Sequence, residues 1–305
     1  VEFLDSFFSK YLNKNSIEYK RVIHISSAKS GEKSIYGSSK LQGDNLLKDI
    51  CGSNNIPIKV IKYNNLFGKW SRPDYNSVVS TWCRDLRLSR NSTINEDKNL
   101  LNLTYIDDVC SEIYDLIFLN DEEFINECNT DESKALVSSI SLMDLYAILK
   151  KISLSISSVN LFSPLNLFEK NLYSTYISFI NPIDTIFSLK GHSDQRGSFY
   201  EVFKLGINGQ VSVSSTMPIK EPRGKHFHMS KVEIFCLLSG NAKMRHKEWG
   251  TDKIFENNLI PFDCITTIPG YIHDIENIGN EPLLLLIWAN EEFDKAIPDT
   301  YQADL

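Results

Sequence analysis

The spacing of apolar and polar positions changes character partway along the chain. In the first part, short β-rich runs alternate with segments of helical period. Tyr19 to Ser27 reads as a strand ending in serines, Tyr36 to Ile50 as a helix and Pro57 to Tyr63 as a strand again. A helix is predicted over Tyr75 to Leu88, an extended run over Leu100 to Tyr105 and another helix over Asp107 to Leu119. Ser141 to Ile152 adds an amphipathic helix with Leu142, Leu145, Ile148 and Leu149 on one face. Strands separated by helices imply βαβ units and a parallel sheet. Val1, Leu4, Phe7, Phe8 and Tyr11 also fall at helical spacing. The chain begins inside that pattern with no cap residue before it, so it reads as a fragment whose natural start is missing.

From about Asn181 to Ser188 the texture changes. Short strands split by Gly, Pro and Asn turns follow, among them Gln210 to Ser215, Ile234 to Leu238, Ala242 to Arg245, Cys264 to Ile268 and Leu283 to Trp288. Many short strands at close spacing predict a β-sandwich or barrel. The expected division is therefore an α/β domain over 1–187 and an all-β domain over 188–305, and 305 residues suffice for about two domains.

Composition narrows the function classes. The chain is 42% hydrophobic and 23% charged, ordinary for a soluble globular protein. Its net charge of -7 argues against a nucleic-acid partner, which would call for a basic excess. No run approaches the roughly 18 apolar residues of a membrane span, so no membrane partner is expected. The six cysteines form no CxxC pair. Reduced thiols and a cytoplasmic location are the expectation.

The first candidate chemistry is a Ser, a Tyr and a Lys. Tyr36 and Lys40 lie four apart on a predicted helix, hence on one face. An ammonium beside a phenol favours the phenolate and lowers the phenol's pKa, so Tyr36 could give a proton to a carbonyl that receives hydride. Ser27, ending the preceding strand, could hydrogen-bond the same oxygen. The bare spacing is uninformative, because Tyr146 with Lys150 and Tyr200 with Lys204 share it. Only Tyr36 follows a strand ending Ile25-Ser26-Ser27 and opens a fresh helix.

The stretch ISSAKSGEKSIYGSSKLQGDNLL resembles the catalytic segment of extended short-chain dehydrogenases/reductases. KYNNLFGKW resembles that family's substrate-contacting strand end, which implies a substrate-binding role for Asn65. NLTYIDDV resembles the segment that closes its sugar-nucleotide pocket, with Asp107 and Asp108 read as helix-start carboxylates. The resemblance implies catalytic roles for Ser27, Tyr36 and Lys40, with Tyr36 and Lys40 also holding the ribose of NADPH. One departure stands out. None of the 14 glycines forms the G-x-G-x-x-G phosphate cradle, so the Rossmann-like doubly wound sheet is expected to be incomplete.

The second candidate chemistry lies in the β-rich half. His226 and His228 are two apart, on one face of a strand. With Glu233 and His273 they make a set of three imidazoles and one carboxylate, suited to zinc, iron, manganese or nickel. His24, His192 and His246 fit no ligand pattern and read as surface residues. The positions of His226, His228, Glu233 and Gly240 resemble the first motif of the cupin family, and Gly270, His273 and Asn277 resemble its second. Two turn positions depart, with Phe262 in place of a glycine and Ile268 in place of a proline. A jelly roll holding a divalent metal, zinc first, is implied.

The order of the halves resembles the bifunctional nucleotide-sugar enzymes of capsule and O-antigen synthesis. That resemblance implies a homodimer acting on a UDP-4-keto-6-deoxy-N-acetylhexosamine, with the cupin half epimerising C3 and the reductase half reducing C4 with NADPH. No epimerase base is assigned: Lys225, Tyr271 and Asp274 lie near the ligands in sequence, and each also has a structural reading. Two alternatives compete. One is a cupin dioxygenase or isomerase on a degenerate reductase. The other is a non-catalytic sugar-binding or dimerising cupin.

Overall fold

The structure, a computed structural model, describes residues 21–90, 92, 94, 100–156, 158–218 and 221–305. The helical pattern from Val1 to Tyr11 lies outside the described residues. The chain divides into two compact units. One comprises Val1–Ser153 with Pro164–Ile180, the other Leu154–Ser163 with Asn181–Leu305.

In the first unit, β1 (Val22–Ser27) and β2 (Ile58–Tyr63) pair in parallel, with Ser27 opposite Tyr63. The helix Ile35–Ser53 connects them. One residue after β2, β3 (Asn65–Phe67) pairs in parallel with β4 (Leu101–Tyr105), and β4 pairs antiparallel with β5 (Val137–Ile140). The expected α/β half is present, but its parallel pairing is shared between two small sheets. β1 ends at Ser27, opposite Tyr63, and the chain beyond Asn64 pairs with β4. Ile61, Tyr63, Val109, Leu116 and Phe124 form the core. Lys59 is also buried, and its ammonium is satisfied by the Glu127 and Thr130 carbonyls, both at 2.7 Å, and by Thr130 Oγ1 at 3.1 Å. Asn120 and Glu123 close a reciprocal capping box that starts the helix Asp121–Glu127.

The second unit is a two-sheet antiparallel sandwich, the expected cupin jelly roll. Its strands are β6 (Gly191–Asp194), β7 (Gly197–Lys204), β8 (Gln210–Thr216), β9 (Arg223–Phe227), β10 (Glu233–Ser239), β11 (Ala242–Glu248), β12 (Ile254–Leu259), β13 (Cys264–Thr266), β14 (Tyr271–Asn277), β15 (Leu283–Ala289) and β16 (Tyr301–Gln302). One sheet runs β13-β10-β15-β8-β7-β6 and the other β12-β11-β14-β9-β16. Leu237, Met244, Ile275 and Leu285 interdigitate between them. Phe262, where a glycine was expected from the motif, takes a glycine-like φ of 75°, so the turn keeps its geometry. All six cysteines are free thiols.

β8 inverts the usual rule. Gln210, Ser212, Ser214 and Thr216 are its buried residues, while Val211 and Val213 alternate with them on the outer face. Polar side chains facing inward on a sandwich strand mark a place where the interior is not hydrocarbon.

The core itself is conventional. Leu237 is fully buried, so Leu237→Ala is expected to destabilise the second unit by about 2–5 kcal/mol. A lowered urea midpoint with an unchanged m-value would register it.

Candidate functional site

The first candidate group is built on the start of the helix Ile35–Ser53. Ser34 caps it by accepting from the Gly37 amide at 2.9 Å. A Cβ on Gly37 would lie 2.6 Å from the Lys29 and Glu32 carbonyls, so only glycine lets the preceding turn fold this closely over the helix. Tyr36 is 51% exposed there. The Lys40 ammonium sits 5.8 Å from the centre of its ring. Ser27 ends β1, and its hydroxyl accepts from the Lys29 amide at 3.2 Å.

Asp44 continues the stripe of Tyr36 and Lys40 by one more turn, and sequence reasoning missed it. Only 2% exposed, it accepts from His24 Nε2 at 2.9 Å, Ser26 Oγ at 2.8 Å and Ser30 Oγ at 2.7 Å. Burial alone would push its carboxyl pKa up. The Ser30, Ser26 and His24 donors outweigh that and hold it below the usual range. One carboxylate therefore ties the end of β1 and the turn after it to the Tyr36 helix. His24, expected at the surface, is instead part of this network. Its position beside a buried acceptor is the reason.

Asn65 starts β3, where its amide donates to the Asn102 carbonyl at 3.2 Å. Asp107 and Asp108 occupy the first turn of the helix Ile106–Phe118, and Asp107 pairs with Lys69 at 2.7 Å. The two other Tyr/Lys pairs are structural. Tyr146 packs edge-on against Trp82, and Lys204 pairs with Glu201 at 3.1 Å.

The second group lies inside the sandwich. His226 comes from β9, His273 from β14 and Glu233 from β10 in the facing sheet, with His228 just past the end of β9. His226 and His273 are direct partners across β9 and β14. A bulge follows at Lys225, whose φ is 58°, and Gly224, whose φ is 110°. A Cβ at Gly224 would meet the His273 carbonyl at 2.8 Å, so glycine permits the bulge that aims His226 inward. The ligand atoms of His226, His228, Glu233 and His273 all lie within 4.8 Å of one another.

Proton placement tests whether this set fits a cation. His228 Nδ1–H donates to the Asp299 carbonyl, and His273 Nδ1–H to the Tyr271 carbonyl at 3.4 Å. Those bonds turn both Nε2 atoms toward Glu233, at 3.2 and 3.5 Å from Oε2. His273 Nε2 is buried with no hydrogen-bond partner. A neutral imidazole with Nδ1–H carries a bare lone pair at Nε2. Facing a carboxylate, that arrangement is repulsive unless a proton or a cation lies between. A divalent ion on three imidazoles and a carboxylate satisfies every one of these atoms. Burial, followed by the neighbouring His273 and His228, pushes the His226 pKa down to about 4. Burial raises the Glu233 carboxyl, but hydrogen bonds and charge from His228 and His273, when their Nε2 atoms carry protons, outweigh it and hold it low. Both groups are thus in their ligating forms at neutral pH.

The cluster opens onto a cavity of about 450 Å³. Gln210 and Ser212 of β8 line it, which explains the inverted strand, together with Lys231, Glu201 and Glu291. His192 lines it too, exposed. Lys225, Tyr271 and Asp274 do not line it. Asp274 is buried and clamped by Arg245 at 2.8 and 2.6 Å. His246 overturns its surface assignment. It shares the inward face of β11 with Ala242 and Met244 and is buried, with its ring 6.2 Å from that of His273.

Comparison with known proteins finds two family matches and several relatives. Residues 16–124 match the NAD dependent epimerase/dehydratase family, and residues 192–301 match the polysaccharide biosynthesis C-terminal domain. A UDP-2-acetamido-2,6-beta-L-arabino-hexul-4-ose reductase of Pseudomonas aeruginosa is 31% identical over 92% of this chain and 74% of its own length. The crystal structure of the capsular polysaccharide assembling protein CapF of Staphylococcus aureus superposes with a TM-score of 0.88 at 31% identity, covering 99% of this chain and 81% of that one. A structure of CapF with the inhibitor 3-isopropenyl-tropolone gives a TM-score of 0.84 at 31% identity, covering 100% and 84%. No helix among the described residues is long and apolar enough to cross a membrane.

Two outcomes are expected. His226→Ala should reduce cobalt(II) or zinc(II) binding at least tenfold by calorimetric titration, and saturating metal should raise the melting temperature of the wild type but not of the variant. The Asp44 carboxyl is held low in the folded state, so its contribution is present above the ordinary carboxyl pKa and lost as pH falls through that value and below. Asp44→Asn should accordingly cost about 1–3 kcal/mol at pH 7 and flatten the acid limb of a urea-midpoint profile below about pH 4.

Proposed function

Because the chain belongs to the CapF family, we propose that it is a nucleotide-sugar enzyme of capsule or O-antigen synthesis that acts on a UDP-4-keto-6-deoxy-N-acetylhexosamine in two steps. The observation that carries the reading is the buried and half-buried His226, His228, Glu233 and His273 cluster opening onto a polar cavity. In the first step, the proton on C3, α to the C4 ketone, is lost to a base and from it to solvent, and a solvent-derived proton is added on the opposite face. A cation held by His226, His228, Glu233 and His273 would supply electrophilic stabilisation of the negative charge that develops on the substrate, while Gln210, Ser212 and Lys231 give the substrate polar partners in a site shielded by the two sheets. Zinc is the ion this donor set suits first.

In the second step, hydride from NADPH adds to C4 and Tyr36 gives its proton to O4. Lys40 favours the phenolate that remains and, with Tyr36, holds the cofactor ribose, while Ser27 orients the carbonyl. Asn65 contacts the sugar. The reading assigns reduction to residues 1–187 and epimerisation to 188–305, in a cytoplasmic homodimer. Its support is the placement of Ser27 at the strand end, with Tyr36 and Lys40 on one face of the helix that follows.

Mass spectrometry in heavy water separates this reading from a sugar-binding module. Incubated with the keto sugar and no NADPH, metal-replete protein is expected to introduce deuterium at C3, and His226→Ala to lose that uptake. Tyr36→Phe should keep the uptake and lose C4 reduction by more than about a hundredfold. Absence of uptake by folded, metal-loaded wild type would overturn the epimerase assignment and favour a non-catalytic sugar binder.

A further inference from the structure

We propose that Asp299 is a positioning residue for the metal centre, acting through the segment from Pro298 to Gln302, which braces the ligand strand β9 and sets the orientation of His228. This rests on the reading of the four-residue cluster as a cation site. His228 lies past the last ladder position of β9, so sheet pairing does not fix its ring. What fixes it is 71 positions away, where the Asp299 carbonyl accepts the proton of His228 Nδ1 and leaves Nε2 facing the cluster.

The Asp299 side chain secures that contact from the other direction. Its Oδ1 accepts from the Met229 amide at 2.8 Å. Its Oδ2 accepts from the Ser230 amide at 2.7 Å, Ser230 Oγ at 2.9 Å and the Lys231 amide at 2.8 Å. Three successive backbone N–H groups thus converge on one carboxylate and shape the loop that leaves His228. The next residues grip β9 itself. Tyr301 pairs with Phe227 and Gln302 with His226, and the Tyr301 ring stacks on Phe227 at 5.3 Å. Phe227 separates the two ligand histidines in sequence, so the brace presses on the outer face of the strand whose inner face carries the ligands. Thr300 Oγ1 accepts from the Lys231 ammonium at 3.2 Å, which ties the same segment to a cation lining the cavity. A ligand nitrogen, its loop and a cavity lysine are all referred to one short segment.

Cobalt(II) titration of the full chain tests this, read by the visible absorption of the bound ion and by its dissociation constant. Asp299→Ala is expected to weaken cobalt binding 10–100-fold and to alter the absorption envelope. Asp299→Asn keeps one oxygen for the Oδ2 donors and should recover most of the affinity and the wild-type envelope. Near-UV circular dichroism of the metal-free variants should match the wild type. Unchanged affinity and spectrum in Asp299→Ala would overturn the positioning role. So would equal losses in both variants accompanied by a changed metal-free fold, the signature of a merely structural turn. Failure of the wild type itself to bind cobalt would instead overturn the cation reading beneath it, and the proposal with it.

Discussion

A carboxylate and three imidazoles share a space in which their ligand atoms are no more than 4.8 Å apart, enclosed by two β-sheets. Burying such groups costs several kcal/mol unless each finds a partner. The surrounding architecture answers to that constraint. Two backbone carbonyls choose the proton positions on His228 and His273. The bulge at Gly224 and Lys225 turns His226 inward. β8 gives up an apolar inner face to surround the opening with Gln210 and Ser212. Beside it, Leu237, Met244, Ile275 and Leu285 pack as ordinary hydrocarbon between the two sheets.

The two candidate sites solve different problems. Tyr36, proposed to meet a bound carbonyl, stands half exposed on the first turn of a helix. Its geometry is set from behind by Asp44, whose three donors fasten strand, turn and helix together. The four residues proposed as metal ligands are instead buried or half-buried and fixed by neighbours in both sheets. A polar network on a rigid element serves in each case, but only the second requires parts of the chain far apart in sequence.

That difference explains how much the sequence revealed. Features with short spacing were legible: Tyr36 and Lys40 on one helix face, His226 and His228 on one strand face, and the strands of the second unit by their turns. Glu233 and His273 were legible because the cupin resemblance supplied a register that spacing alone lacks. Asp44 could have been found as the next turn of the Tyr36 and Lys40 stripe. Asp299 could not, because its role depends on backbone amides about 70 positions earlier. His24 and His246 were misjudged because exposure depends on which face of a strand is covered, and a single imidazole carries no sign of that. β8 would be placed inside out by the usual alternation rule, since its polar residues line a cavity rather than the surface.

The span of the ligand set also bears on the order of assembly. Glu233 stands in one sheet while His226 and His273 stand in the other, so no local segment can gather the site by itself. Contacts between segments this far apart in sequence carry the entropic cost of closing the loop between them. An ion that engages only the closed sandwich leaves the rate of folding nearly unchanged and slows its reversal. In that sense a cation bound between β10 and β14 would act as a latch on the finished structure, prolonging the lifetime of the closed sandwich more than it hastens its formation.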